Sequence, residues 1–73
     1  MEQLPGSSIT RRQFDVLRLL ALGYSNRKIA STLFITEHTV KAHIGVMFRI
    51  LEVANRTECV RVAEDRGLLA GRL

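Results

Sequence analysis

Threonines, histidines and cations gather between residues 36 and 51 at spacings that set them on one side of a helix. Val40, Ile44, Met47 and Leu51 recur at i, i+4, i+7 and i+11, the apolar stripe of a 3.6-residue period. His38, Ala42, Gly45 and Arg49 fall on the opposite side, with Lys41 on one shoulder and Thr39 and His43 on the other. Thr36 is placed to cap the helix, its hydroxyl accepting from the first free backbone N–H groups. The polar strip carries donors and positive charge, and Ala42 and Gly45 keep it low enough for close approach. Such a strip suits the floor of a DNA major groove. A solvated face of an ordinary amphipathic helix has the same composition, so this helix alone leaves both readings open.

Other chemistries find less material. Cys59 is the one cysteine, so the chain forms no internal disulfide and offers no cysteine cluster for zinc. His38 and His43 stand five positions apart, off a common helical face, and neither a metal site nor a cofactor is expected. No nucleophile–base pair is visible. His43 near Thr39 reads as a helix-shoulder contact, and an enzyme is not expected. No apolar run approaches the roughly 18 residues of a membrane span. Residues 1–10 lack the basic and apolar regions of a signal peptide, which places the chain in the cytoplasm, away from membranes. The net charge of +4 favours an anionic partner, and its distribution says more. Arg11, Arg12, Arg18, Arg27, Lys28, Lys41 and Arg49 all precede residue 50.

The elements that must position these side chains are helical throughout. Seventy-three residues, 47% of them hydrophobic, make one domain at most. Residues 1–8, with Pro5, Gly6 and two serines, read as a flexible lead-in or linker, and the domain is expected over 9–70. Thr10 caps a first helix, Ile9 packs on Phe14 as a staple, and Gly23 stops the helix. Phe14, Leu17, Leu20 and Ala21 form its expected core stripe. Ser25-Asn26 signals a second, short helix through Ile29, Ala30 and Leu33, ending near Phe34. Ile35, as the expected buried pivot, separates it from the cap at Thr36. A short helix, a tight turn and a longer helix make a helix-turn-helix. Asn55 caps a fourth helix, about 56–66, in which Val60 and Ala63 are expected to face the core. Cys59, Val62 and Arg66 form a second stripe, read as a dimer surface.

With these segments in place, the chain resembles the DNA-binding domain of LuxR-type regulators, including the FixJ- and NarL-like response regulators. The resemblance rests on Gly23-Tyr24-Ser25-Asn26 and Thr39-Val40-Lys41-Ala42-His43, a specific pair at this separation. Ile9-Thr10 with Arg12, Leu33-Phe34-Ile35-Thr36, Leu51-Glu52-Val53 and Asn55-Arg56-Thr57-Glu58 extend it over residues 9 to 69. It implies an all-α, four-helix bundle whose third helix, about 37–51, enters the major groove of double-stranded DNA. It also implies a homodimer paired through the last helix. By resemblance, Lys41 and Ala42 reach base edges or thymine methyl groups, while Thr39 and His43 contact the backbone or brace the helix. Ser25, Asn26, Arg27 and Lys28 begin a positioning helix whose N-terminus approaches phosphates. Thr36, His38, Gly45 and Arg49 complete the expected DNA-facing set.

The chain departs from the family pattern at four positions. Gln13 and Lys28 stand where glutamate is usual, Gly45 where a polar or basic residue is, and Ile50 where lysine is. The expected function is sequence-specific DNA binding by a transcriptional regulator. The chain is read as a C-terminal output domain below a receiver or ligand-binding domain, with RNA polymerase as a further partner. The alternative is a helical protein-interaction module of this fold that has lost DNA binding.

Overall fold

A computed structural model describes residues 9–69. Among them the regular elements are four helices, α1 (Arg11–Ala21), α2 (Asn26–Leu33), α3 (Glu37–Leu51) and α4 (Arg56–Asp65). The lead-in expected over residues 1–8 and the domain's last position, 70, lie outside the described residues.

Each helix starts at the capping residue the sequence marks. Thr10 and Gln13 form a reciprocal capping box: the Gln13 N–H donates to Thr10 Oγ1 at 3.2 Å, and the Thr10 N–H donates to Gln13 Oε1 at 3.0 Å. Ser25 Oγ accepts from the Lys28 N–H at 3.1 Å, and Thr36 Oγ1 from the Thr39 N–H at 3.1 Å. Asn55 Oδ1 accepts from the Glu58 N–H at 2.8 Å, while Glu58 Oε1 accepts from the Ala54 N–H at 2.8 Å. Each helix also stops in the same way, on a left-handed residue. After α1 and α4 that residue is Gly23 (φ 87°) and Gly67 (φ 73°), where the absent Cβ makes the turn easy. After α2 and α3 it is Phe34 (φ 59°) and Glu52 (φ 57°), which take the same conformation with a Cβ in place.

The core forms around α3, which packs against the other three helices. Val40, Ile44, Met47 and Leu51 are all buried, as their spacing predicts. They meet Val16, Leu17 and Leu20 of α1, Ile29 and Ala30 of α2, and Cys59 and Ala63 of α4 in one apolar cluster. Leu69 folds back on the bundle and is buried, as is Ile9 ahead of α1.

Three placements differ from expectation. On α1 the core stripe runs through Val16, Leu17 and Leu20, with Gln13 buried above it, while Phe14 and Ala21 are only partly covered. Ile35 is likewise partly buried. On α4 the inward stripe is Cys59 and Ala63, an i, i+4 pair, and Val60 is only partly covered. Cys59 is 0% exposed, so it is a core residue and not part of an outward stripe. A free cysteine packs as a small hydrophobe, which explains the preference. The regular part of α4 closes at Asp65, with Arg66 as its C-cap.

Candidate nucleic-acid interface

Away from its buried stripe, α3 presents His38, Ala42 and Arg49, with Lys41 on the shoulder, all exposed. Thr39 and His43 lie partly buried on the other shoulder, and Gly45, expected on the open side, is partly buried as well. The Thr36 and Thr39 hydroxyls share a hydrogen bond of 3.0 Å, so the cap and the first inward shoulder are held together. A Cβ built on Gly45 would meet nothing within 4 Å, so packing does not demand glycine there. Burial lowers the pKa of His43, and the charge of Arg12 lowers it further, so its neutral form is favoured. Arg12 itself lies 3.8 Å from Asp15, one turn along its own helix.

At the start of α2, Ser25, Arg27 and Lys28 are exposed. The first turn contains no acidic residue, so two side-chain cations reinforce the positive end of the helix dipole. Lys28 Nζ lies 4.3 Å from the centre of the Tyr24 ring, a cation–π contact that steadies the side chain. Asn26 behaves differently from its neighbours. Its Oδ1 accepts from Arg56 Nη1 at 3.0 Å, and Arg56 Nη2 donates to the Tyr24 carbonyl. Arg56 was not among the expected site residues. The signal for it was a cation in the first turn of a helix, where the dipole disfavours positive charge and a partner elsewhere is needed.

Of the three residues expected at a dimer surface, Arg66 is exposed and Val62 partly buried, whereas Cys59 is enclosed in the core. Burial also raises the Cys59 pKa, against the opposing charge of Arg56, which keeps the thiol protonated. Among the described residues no group of histidine, cysteine and acidic side chains could hold a metal ion. None of the helices among them is long and apolar enough to cross a membrane.

The family model for bacterial regulatory proteins of the luxR family matches residues 7–63. The chain belongs to the LuxR family. The HTH-type transcriptional regulator AlkS of Pseudomonas putida is 37% identical over 68 residues, which are 93% of this chain and 8% of that protein. The response regulator protein VraR of Staphylococcus aureus is 43% identical over 61 residues, covering 84% of this chain and 29% of VraR. Among solved structures, the response regulator ChrA of a heme-sensing two-component system superposes with a TM-score of 0.82 at 37% identity. That match covers 89% of this chain and 32% of ChrA, so the chain spans about a third or less of these relatives. In this LuxR-family domain the helix-turn-helix is α2, the turn through Phe34 and Ile35, and α3, the DNA-binding unit of a transcriptional regulator.

The structure accounts for three of the family departures. A capping box needs an acceptor at its third position and no charge, and Gln13 Oε1 supplies one. Lys28 takes the Tyr24 ring as its partner. Ile50 packs partly against the core, where a lysine head group would have to reach back to water. Nothing in the structure explains glycine at position 45.

Proposed function

We propose that α3 enters the major groove of double-stranded DNA and reads sequence there. Lys41 and Ala42 approach base edges, and His38 and Arg49 extend the same face. Thr36, Thr39 and His43 brace the helix or touch the backbone, and Gly45 lets the groove wall come close. Ser25, Arg27 and Lys28 bring the start of α2 to phosphates, with Asn26 holding that turn from inside. One observation carries the reading. The helix that buries Val40, Ile44, Met47 and Leu51 on one side shows exposed Lys41, Ala42, His38 and Arg49 on the other. A basic strip interrupted by a small residue is what close approach to DNA requires.

The domain acts by binding and not by catalysis, as the output module of a larger cytoplasmic regulator. Residues 1–8 serve as its linker, and a receiver or ligand-binding domain precedes it. RNA polymerase is the partner through which it acts on transcription. Two copies pair through the outer face of α4, with Val62 and Arg66 at the contact. The short share of each relative that this chain covers supports the larger architecture.

Electrophoretic shift of genomic DNA fragments, repeated across a salt series, tests the central claim. Retarded complexes that weaken steeply with salt are the expected result. A chain that shifts no fragment at low salt is instead a protein-interaction module of this fold.

A further inference from the structure

The geometry points to Arg56 as a positioning residue that couples α4 to the DNA-facing start of α2. This rests on the reading above, in which the first turn of α2 approaches phosphates. Among the described residues α2 and α4 do not pack on each other directly; each reaches the other through α1 and α3. Arg56 crosses that gap with one side chain. Its Nη1 donates to Asn26 Oδ1 at 3.0 Å, and its Nη2 donates to the Tyr24 carbonyl. The two acceptors flank Ser25, the N-cap of α2. A planar guanidinium holding points on both sides of a cap fixes the entry angle of the helix as well as its position.

The location makes little sense as support for α4 itself. Arg56 is the first residue of that helix, where its charge opposes the helix dipole. Arg56 also lines an open cleft of about 350 Å³ between Leu20 and Tyr24 on one side and Thr57 and Val60 on the other. Truncating Arg56 removes the tie from α4 and leaves the first turn of α2 held by its own cap alone. Holding it before DNA arrives removes an ordering cost from binding.

The test compares the parent chain with Arg56→Ala, Arg56→Lys, Asn26→Ala and the Arg56→Ala/Asn26→Ala pair. Each is titrated with a short duplex recovered by in vitro selection with the parent, between about 50 and 200 mM salt. Amide exchange of Lys28 and Ile29, whose N–H groups bond to Ser25, is followed in the free proteins. Arg56→Ala is expected to keep its helix content and bind about tenfold more weakly, the scale of one lost charge-assisted hydrogen bond. Its salt slope stays at the parent value, because the lost group touched no phosphate. Exchange quickens at Lys28 and Ile29 and not in α3. Arg56→Lys, which has a donor head but no fork, recovers part of the affinity, and Asn26→Ala adds little on top of Arg56→Ala.

Affinity equal to the parent's overturns the inference and leaves Arg56 a stabilising residue only. So does a salt slope smaller by about one, which marks a direct phosphate contact. Should Arg56→Ala fail to fold, Arg56→Lys and Asn26→Ala carry the same two readouts. If the parent itself binds no DNA, the groove reading fails on its own. The exchange comparison then stands alone: faster exchange in α2 supports the clamp, and unchanged exchange refutes it.

Discussion

Lys41 and Gly45 lie on the same helix, and they separate function from stability in opposite ways. Lys41 is exposed and takes no part in the core, so Lys41→Ala is expected to leave helix content intact while DNA binding weakens. The loss is about 1–3 kcal/mol if the ammonium reads a base, or a salt slope smaller by about one if it meets a phosphate. Anisotropy titrations over a salt series measure both, and an unchanged affinity at moderate salt removes Lys41 from the interface. Gly45→Ala places a methyl group in open space and gains about 1 kcal/mol of helix propensity. Its melting temperature should rise, and a fall would contradict the helical placement. Affinity measured on the same variant tells whether DNA comes within a methyl group of this backbone. At this scale the sequence was legible where period and residue type agreed, as at Val40, Ile44, Met47 and Leu51. It was misleading at Cys59 and Val60, adjacent small apolar residues, because α4 buries too short a stripe for its period to choose between them. It was silent on the contact between Arg56 and Asn26, which meet across thirty positions through tertiary packing alone.

All four helices stop on a left-handed residue, and only two of them use glycine. Phe34 is the more costly exception. Its backbone adopts a conformation disfavoured by about 1–2 kcal/mol for a residue with a Cβ. The residue is 93% exposed and gains little from the core in return. Phe34→Gly is therefore expected to raise stability by up to about 1 kcal/mol, after the greater freedom of glycine in the unfolded chain is deducted. DNA affinity should hold. Thermal denaturation checks the first part, and a lower melting temperature would show that the ring makes contacts worth more than the backbone relief. The caps at Thr10, Ser25, Thr36 and Asn55 were all readable in advance, since a side-chain acceptor before a periodic run is a local signal. The ends of α2 near Phe34 and of α3 at Leu51 were also readable, although phenylalanine and glutamate do not announce the left-handed turn that makes those stops.

The Cα atoms of the described residues span 27 × 26 × 26 Å. Two such bodies fit side by side on one face of DNA, where successive half-sites lie about 34 Å apart. If the outer face of α4 pairs them, Val62→Glu should leave the monomer folded and abolish cooperative occupation of a two-half-site operator. Footprinting of that operator beside a single half-site decides it, and cooperative binding equal to the parent's excludes α4 as the contact. Cys59 cannot serve as a crosslinking reporter for this surface, because its thiol is enclosed. A further consequence follows from the place of α3 at the centre of the bundle, against all three of its neighbours. The surface proposed to meet DNA is the back of the domain's own keystone, and melting it locally would expose the core packed against all three neighbours. Many nucleic-acid-binding segments are disordered until they bind, and their binding carries the calorimetric signature of folding. Here the reading head arrives already built. Titration calorimetry over a range of temperatures should return a heat-capacity change set by the contact surface alone. A much larger negative value would mean that some part of the domain orders only on DNA.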